Sequence, residues 1–347
     1  MQKCFELAVQ GETFAFPNPN VACLIYYKEE LISYGVHRYQ GKAHAEVIAI
    51  TNLKENFPNY QNYINECDLI LNLEPCSHYG NTPPCTSLIK ETGFKKVAFA
   101  AYDPNPAVYK RSLEILSELE IIKPEDLSDE IQEKAQLINR AFFAIKEKEQ
   151  QKELPVWLSV KVASYPDGSM ITKHEQQWIT ANTSRQDVHR YRSTSQLLIT
   201  SSATVSADNP SYNVRHNASN LNLLDIKDPD IVELYQNTST KLKSLDSNRR
   251  IFYKKISSID KASLKQVLRE LSFQGYQKIM VEAGPTLSSA FIESGLVDEL
   301  IIYQPKENRS SAEFVKDCKE QFTNTMKLAQ VEDFNEDYKA IFLSTPK

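Results

Sequence analysis

The sequence lacks the features that mark membrane and secreted proteins. No apolar run approaches the roughly 20 residues that a helix needs to cross a bilayer. The N-terminal residues MQKCFELAVQGE do not combine a basic start, a long apolar stretch and a small-residue cleavage site, as a signal peptide would. Internal repeats and low-complexity tracts are also missing. We therefore expect a soluble, cytosolic protein with no membrane partner.

An excess of basic residues is missing as well. The 347 residues include 40 Lys and Arg against 45 Asp and Glu, which gives a net charge of -5. This balance provides no general electrostatic attraction for nucleic acid. The chain is also longer than the about 250 to 300 residues at which a single hydrophobic core stops growing. We therefore expect two domains, a small-molecule partner and no nucleic-acid partner.

Cysteine is scarce, with six residues at Cys4, Cys23, Cys67, Cys76, Cys85 and Cys318. A reducing cytosol argues against a disulfide framework, so a close cysteine pair there indicates metal binding or catalysis. Cys76 and Cys85 form such a pair, because only eight residues separate them.

The order of apolar and polar segments predicts an α/β architecture in both halves. In the first half we predict strands at 21–27, 31–34, 69–73 and 97–101, with helices at 43–53 and from Pro84 to about Gly93. One long helix is predicted over 127–151 and is stopped by Pro155, which divides the chain into domains 1–150 and 151–347. In the second half we predict strands at 156–163, 197–200, 278–282 and 299–303, and helices at 185–192, 262–271 and 286–294. The polar segment 217–260 is not assigned.

One histidine, one glutamate and two cysteines form the strongest chemical pattern. His44 and Glu46 lie two residues apart at a helix start, Cys76 follows a strand end, and Cys85 lies beside the next helix start. One imidazole and two thiolates suit zinc and leave the fourth tetrahedral position for water. Glu46 would then stand beside the metal and move protons. The pattern therefore indicates a catalytic zinc site.

Three other interpretations of this pattern stay open. The residues can be an unrelated helix-start histidine, an exposed glutamate and two separate cysteines. A purely structural zinc module is a second possibility, although such a site is normally closed by a fourth protein ligand and has no use for Glu46. A nucleic-acid-editing protein is a third, because related zinc sites act on flipped bases. The acidic balance and the lack of a basic, aromatic-rich groove argue against it.

Several segments together resemble the bifunctional riboflavin-biosynthesis deaminase/reductase family. The segments are PNPNVACLI (17–25), HAEV, EPCSHYGNTPPC and DPNP (103–106). The resemblance implies that His44, Cys76 and Cys85 bind Zn²⁺, that Glu46 is the proton shuttle, and that loop 77–84 lines the substrate pocket. It also implies that Asn20 hydrogen-bonds the base, although a plain turn residue explains Asn20 as well. Asn81 and Ala22 depart from the family, which usually has a basic residue and a glycine there.

The residues of the second half, taken alone, indicate a function less clearly than those of the first half. It has no Gly-x-Gly-x-x-Gly fingerprint, but VEAGPT (281–286) joins a strand to a helix. The helix start there is suited to a phosphate, and an ordinary strand-helix turn accounts for it equally well.

The resemblance extends through this half in KVASYPDGS, QQWIT, TSSATVSADNPSYNVR and VEAGPTLSSAFIESGLVDEL. It implies a dihydrofolate-reductase-like α/β fold that uses NADPH, beside an N-terminal cytidine-deaminase-like three-layer fold. The implied cofactor contacts are Ala163, Trp178, Thr204, Asp208, Gly284, Pro285, Thr286, Leu287, Ser288, Ser289 and Ala290. The implied substrate contacts are Gln176, Arg192, Tyr212, Arg215 and Glu282.

Two readings of the whole chain follow from the resemblance. In the first, zinc-dependent deamination of a diaminopyrimidinone ribosylamino 5′-phosphate precedes NADPH-dependent reduction of its ribosyl group to a ribityl chain. In the second, the protein is a deaminase only, and the C-terminal half is a degenerate scaffold. Departures from the family in segment 217–260 and in QPKENRSS after Tyr303 motivate the second reading. We also expect a homo-oligomer, either a dimer or a tetramer.

Overall fold

The computed structural model describes residues 1–11, 15–79, 83–172, 177–215, 228–242 and 249–345. It divides into two compact units, Met1–Glu153 and Leu154–Lys347. Each unit is built on a mixed sheet with helices packed against it, so the predicted α/β class is confirmed. Across the described residues, no helix has the length and apolar composition needed to cross a membrane.

The N-terminal unit contains a five-stranded sheet. Its strands are β1 (Ala22–Tyr27), β2 (Glu30–Val36), β3 (Cys67–Leu71), β4 (Lys96–Phe99) and β5 (Glu120–Ile122). The spatial order is β2-β1-β3-β4-β5. Strand β1 pairs antiparallel with β2 and β3, whereas β3, β4 and β5 run parallel. The carboxyl ends of β3 and β4 therefore meet at one edge, where α/β folds place ligands.

Helices cover both faces of this sheet. They are α1 (Gln2–Ala8), α2 (Ala45–Asn56), α3 (Cys85–Thr92), α4 (Arg111–Ile115), α5 (Asp129–Ile138) and α6 (Arg140–Gln150). Successive side chains of a strand point to opposite faces. Cys23 and Ile25 accordingly join the core with α2 and α3, and Ala22 and Leu24 join a second core with α1. The unit is thus a three-layer sandwich, as predicted.

Gly35 allows β2 to lie directly against α2. A Cβ at this position would overlap the carbonyl oxygen of Ala45 and lie 2.5 Å from the amide nitrogen of Ala49. The hydroxyl of Ser33 donates to the carbonyl of Ala49 at 2.7 Å and ties the same strand to the helix. The start of α2, which carries the predicted zinc site, is therefore held close to the sheet.

The single long helix predicted over 127–151 is wrong, because α5 and α6 are separate helices. The break lies at Asn139, which is buried. Its side-chain amide accepts from the backbone N–H of Asn20 at 2.7 Å and donates to the Asn20 carbonyl at 3.0 Å. These bonds hold the chain at Asn139 out of helical geometry, and the amphipathic pattern on either side does not reveal them.

The C-terminal unit contains an eight-stranded sheet. Its strands are β6 (Trp157–Ala163), β7 (Leu197–Ser201), β8 (Asp230–Tyr235), β9 (Ile251–Lys255), β10 (Lys278–Val281), β11 (Glu299–Pro305), β12 (Lys327–Phe334) and β13 (Asp337–Leu343). The order is β12-β13-β11-β6-β10-β7-β8-β9. Strands β6 to β11 are parallel, and β12 and β13 form an antiparallel edge.

Helices again pack on both faces of this sheet. They are α7 (Asn182–Thr194), α8 (Ser202–Asp208), α9 (Lys261–Phe273), α10 (Pro285–Ser294) and α11 (Ser311–Gln321). Leu197 and Ile199 join one core with α9, α10 and α11, whereas Leu198 joins the core with α7 and α8. The unassigned polar segment contributes two ordinary parallel strands, β8 and β9. The segment QPKENRSS after Tyr303 begins with the last two residues of β11 and reaches the start of α11.

Candidate active sites

The predicted zinc ligands lie together in the N-terminal unit. His44 is the extended residue immediately before α2, Cys76 lies in the loop after β3, and Cys85 is the first residue of α3. The Nδ1 atom of His44 lies 3.5 Å from Cys76 Sγ and 3.4 Å from Cys85 Sγ. All three candidate ligand atoms lie within 4.8 Å of one another.

These distances fit a tetrahedral zinc ion. Zn–S bonds of about 2.3 Å and Zn–N bonds of about 2.0 to 2.1 Å place tetrahedral N and S ligands roughly 3.5 Å apart. Within the described residues, no other set of three or more His, Cys, Asp or Glu has this proximity. The donor set supplies three ligands, as a catalytic site with one open position requires.

The two thiols are already inequivalent without a metal. The hydrogen bond between their side chains lowers the pKa of Cys76, and His44 and the Cys85 backbone N–H add to the effect. The Cys85 N–H lies 3.2 Å from the Cys76 sulfur. The same pairing, together with burial, raises the pKa of Cys85. One thiolate is therefore available for a metal at neutral pH.

Glu46 lies in the first turn of α2 and is only 3% exposed. Burial raises its pKa to about 7, and the neighbouring Cys76 charge acts in the same direction. A carboxyl group with this pKa can both accept and release a proton near neutral pH. The geometry is that of a general acid/base beside three metal ligands.

His37 supports the site and was not singled out by the sequence pattern. Its ring lies edge-on to that of His44, with centroids 5.6 Å apart. Its Nδ1 lies 3.0 Å from the Ala43 carbonyl, and its Nε2 lies 3.1 Å from Nδ2 of Asn18. A tautomer with the proton on Nδ1 satisfies both contacts, and burial lowers the pKa of His37. The seven-residue spacing from His44 was the available signal.

Of the remaining residues predicted for the deaminase pocket, Asn20 and Ser77 contact backbone carbonyls outside the zinc-ligand cluster. Asn20 donates its side-chain N–H to the Ile138 carbonyl at 3.3 Å, which is the bond of a structural residue. The hydroxyl of Ser77 lies 3.5 Å from the Ala107 carbonyl, so this loop borders the segment after β4. Asn81 lies outside the described residues.

The predicted cofactor turn lies at the carboxyl ends of parallel strands in the C-terminal unit. Gly284 caps α10, and its N–H donates to Thr204 Oγ1 at 2.8 Å. The Ser201 hydroxyl lies 2.9 Å from the same oxygen. Ala163 ends β6 at this edge. The turn after β10 is therefore tied to the start of α8, and the first N–H groups of α10 lie where a phosphate is stabilised.

The residues along this turn are not equally accessible. Leu287 and Ser288 are buried, and the Ser288 hydroxyl donates to the Ala283 carbonyl at 3.0 Å. Their side chains therefore do not face a cofactor, and the Ser288 N–H already donates to the Gly284 carbonyl at 3.2 Å. The remaining turn residues have at least partly accessible side chains, namely Pro285, Thr286, Ser289 and Ala290.

Glu282 and Arg192 form a paired unit beside the turn. Arg192 donates from Nε at 2.8 Å and from Nη2 at 2.6 Å to the two Glu282 oxygens. Burial alone would raise the pKa of Glu282, but Arg192, with Lys161, holds it at about 2. Arg192 also donates to the Asn213 carbonyl at 3.1 Å. Its guanidinium thus binds protein groups here, whereas the resemblance implied a substrate contact.

Lys161 on β6 was missed by the sequence reasoning. Burial lowers its pKa, and the charge of Arg192 acts in the same direction, while Glu282 opposes the shift. A lysine two residues before the end of a central parallel strand was the available signal.

Tyr212 is buried in the same area. Its side chain is 2% exposed, and its hydroxyl lies 2.5 Å from Thr200 Oγ1 and donates to the Glu282 carbonyl at 3.2 Å. Its position favours a supporting role over a direct substrate contact.

The outer residues of the predicted reductase cleft are open to solvent. Trp178 is 54% exposed, with the Arg185 guanidinium 5.0 Å from its ring centre. Asp208 ends α8 and is exposed, as is Arg215. Gln176 lies outside the described residues.

Each of the two units matches a known protein family. Residues 1–101 match the cytidine and deoxycytidylate deaminase zinc-binding region, and residues 156–306 match the RibD C-terminal domain. The riboflavin biosynthesis protein RibD of Haemophilus influenzae is 32% identical over 342 residues, covering 87% of this chain and 84% of that protein. RibD of Escherichia coli is 31% identical over 337 residues, covering 87% and 86%.

The chain belongs to the RibD family. The RibD structure from Acinetobacter baumannii has a TM-score of 0.73 and 29% identity, and covers 99% of this chain and 98% of its own. A Thermotoga maritima diaminohydroxyphosphoribosylaminopyrimidine deaminase/5-amino-6-(5-phosphoribosylamino)uracil reductase shares the fold, with a TM-score of 0.78, 24% identity and coverage of 99% and 97%. The chain is therefore a bifunctional RibD enzyme, with a zinc-dependent deaminase half and an NADPH-dependent reductase half.

Proposed function

We propose that the N-terminal unit deaminates a 2,5-diamino-6-ribosylamino-4(3H)-pyrimidinone 5′-phosphate, and that the C-terminal unit reduces the ribosyl group of the product to a ribityl chain. The cluster of His44, Cys76 and Cys85 beside buried Glu46 is the observation that carries the deaminase assignment. The substrate is that of the family's reaction. A cytoplasmic location and a homodimer or homotetramer remain predictions from the sequence.

In deamination, His44, Cys76 and Cys85 would hold zinc. A zinc ion bound there supplies a water of lowered pKa as the nucleophile. Glu46 would take a proton from that water and deliver protons to the ring nitrogen and then to the leaving amine. The new C–O bond replaces the C–N bond, and ammonia leaves. The buried position of Glu46 in the first turn of α2, next to His44, supports this two-way transfer.

In reduction, the turn from Gly284 to Ala290, together with Thr204, would bind a phosphate of NADPH. Ala163, Trp178 and Asp208 would complete the cofactor cleft. NADPH bound there supplies a hydride for C1′ of the ribosyl group. The bond from C1′ to the ring oxygen breaks, and that oxygen takes up a proton.

We propose Lys161 as the source of that proton, because it lies near the carboxyl end of β6, where Ala163 borders the predicted cofactor turn, and its charge interacts with Glu282. Glu282 would bind the ribose hydroxyls, Arg192 would hold Glu282, and Tyr212 would support both. Arg215, which is exposed at the end of the described segment, would bind the substrate phosphate. Gln176 would contact the substrate in the reductase site.

The test uses purified full-length protein and follows ammonia release and NADPH oxidation separately. The diaminopyrimidinone phosphate is the first substrate, and the deaminated intermediate is supplied alone in a second assay. We expect both signals. Ammonia release without NADPH oxidation in the second assay would support the deaminase-only reading, and absence of ammonia release from zinc-loaded protein would refute the deaminase assignment. Light scattering on the same sample measures the oligomeric state.

A further inference from the structure

Glu74 is a buried carboxylate that neither the zinc cluster nor the proton transfer uses. It lies between β3 and Cys76 and is 3% exposed. Its own N–H donates to the Ala101 carbonyl at 2.8 Å. The backbone at Glu74, two residues before a zinc ligand, is thus attached to the segment that follows β4.

Four uncharged donors converge on the Glu74 carboxylate. Oε2 accepts from the N–H groups of Asp103 at 3.3 Å and Lys110 at 3.1 Å. Oε1 accepts from the N–H of Ser112 at 3.2 Å and from its hydroxyl at 2.6 Å. Hydrogen bonds to a charged acceptor are stronger than neutral ones. Both ends of the segment 103–112 are therefore bound to one side chain.

Internal bonds give this segment a defined shape. Asn105 N–H donates to Asp103 Oδ1 at 2.8 Å, and Ala107 N–H donates to Asn105 Oδ1 at 3.0 Å. Lys110 has a φ of 61°, a left-handed conformation that costs a non-glycine residue free energy. Its N–H bond to Glu74 offsets part of that cost.

The segment faces the zinc-ligand loop. Burial raises the pKa of Asp103 to about 6, and Cys76 and His78 act on it electrostatically. The Ser77 hydroxyl lies 3.5 Å from the Ala107 carbonyl. Asp103 is therefore at the border of the deaminase site, close to the loop that carries Cys76.

We propose that Glu74 is a positioning residue of the deaminase, which holds the segment 103–112 against the zinc-ligand loop so that Asp103 meets the substrate. This role rests on the deaminase function proposed above. Glu74 acts through Asp103 and does not touch substrate. Its contribution should therefore disappear when the Asp103 carboxylate is already absent.

The test is a double-mutant cycle with Glu74→Gln and Asp103→Asn. In Glu74→Gln an N–H₂ group replaces one oxygen and faces donors, so we expect kcat/KM for ammonia release to fall roughly 10- to 100-fold. In the Asp103→Asn background the same change should cost less than about twofold. Zinc content should stay at one per chain, and NADPH oxidation with the supplied intermediate should be unchanged.

Two further variants test whether the loss of activity is specific to the contacts of Glu74. Ser112→Ala removes only the 2.6 Å hydroxyl donor and should give a smaller loss in the same direction. Glu125→Gln changes an exposed carboxylate that contacts Tyr102 and Lys110 from outside, and it should leave ammonia release unchanged. Equal, additive losses in the two Asp103 backgrounds, or an equal loss in Glu125→Gln, would overturn the positioning role. Wild-type protein that releases no ammonia would instead refute the function on which the role rests.

Discussion

The carboxylate of Glu282 lies in the guanidinium fork of Arg192, with N–O distances of 2.8 and 2.6 Å. The side chains are 12% and 15% exposed for Arg192 and Glu282, respectively. Such a pair is costly to bury, and removing one partner leaves the other charge without compensation. The same ion pair therefore shapes the reductase cleft and affects the stability of the C-terminal unit.

Arg192→Met should destabilise the C-terminal unit and abolish NADPH oxidation. An unpaired buried carboxylate costs about 3 to 5 kcal/mol of unfolding free energy. The double variant Arg192→Met/Glu282→Gln should regain most of that stability and still lack reductase activity. Arg190→Met, an exposed arginine of the same helix, is the matched control. Thermal unfolding and NADPH absorbance measure the two effects, and a double variant as unstable as Arg192→Met would contradict the paired-charge account.

The free energy of unfolding of the C-terminal unit should decrease in a defined range of acidic pH. The pKa of Glu282 is about 2 in the folded chain, below its ordinary value of 4.5, because Arg192 outweighs burial. A lowered folded pKa gives stability that is present above the unfolded pKa and is lost as the pH falls through the folded pKa. We expect this contribution to decline between about pH 4.5 and pH 2. Denaturant unfolding of wild type and Glu282→Gln checks this, since the variant should lack that part of the decline.

Glu46→Gln should retain zinc and lose ammonia release. The amide can still form hydrogen bonds but cannot carry a proton, a role worth roughly 10² to 10⁴ in rate. His44→Ala, in contrast, should lose the metal. Metal analysis should give one zinc per chain for wild type and Glu46→Gln, and chelation should abolish wild-type activity. Turnover above about a tenth of wild type in Glu46→Gln would remove Glu46 from the proton-transfer role.

The zinc ligands were predictable because their signals are local. A histidine at a helix start and cysteines beside a strand end and a helix start can be recognised within a few residues of sequence, and the structure brings them together. Glu74 and Asn139 gave no such signal. The donors bound by Glu74 lie 29 to 38 residues further along the chain, and Asn139 pairs with a residue 119 positions away.

In the reductase half, too, parts of the fold depend on contacts between residues that are distant in sequence. Strands β8 and β9 lie in the segment left unassigned, where short apolar runs are set among polar residues. The pairing of β8 with β7, and of β9 with β8, supplies the context that the segment itself lacks. Arg192 illustrates the point for a site residue. The resemblance implied a substrate contact at Arg192, but a carboxylate 90 residues away along the chain occupies its guanidinium.

Gly35→Ala should impair the deaminase while sparing the reductase. The added methyl group would overlap the Ala45 carbonyl, so β2 or the start of α2 must move. Overpacking of this kind costs about 1 to 3 kcal/mol, and the movement would displace His44 and Glu46. Tyr34→Ala changes a half-exposed side chain of the same strand and should be tolerated. Ammonia release and NADPH oxidation report the two units; normal deamination in Gly35→Ala would show that the close approach is not required.

Asn139→Leu should destabilise the N-terminal unit, because Asn139 separates α5 from α6. Leucine matches the amide in size but leaves the Asn20 N–H, otherwise bonded at 2.7 Å, without its acceptor. An unsatisfied buried donor costs about 1 to 3 kcal/mol, and leucine also favours continuation of the helix. Gln136→Leu adds the same side chain at an exposed position of α5 and controls for added apolar surface. Calorimetry with and without chelator identifies the zinc-linked transition, which should fall in temperature only for Asn139→Leu. An unchanged transition would mean that the helix break is set by the surrounding packing and not by the amide of Asn139.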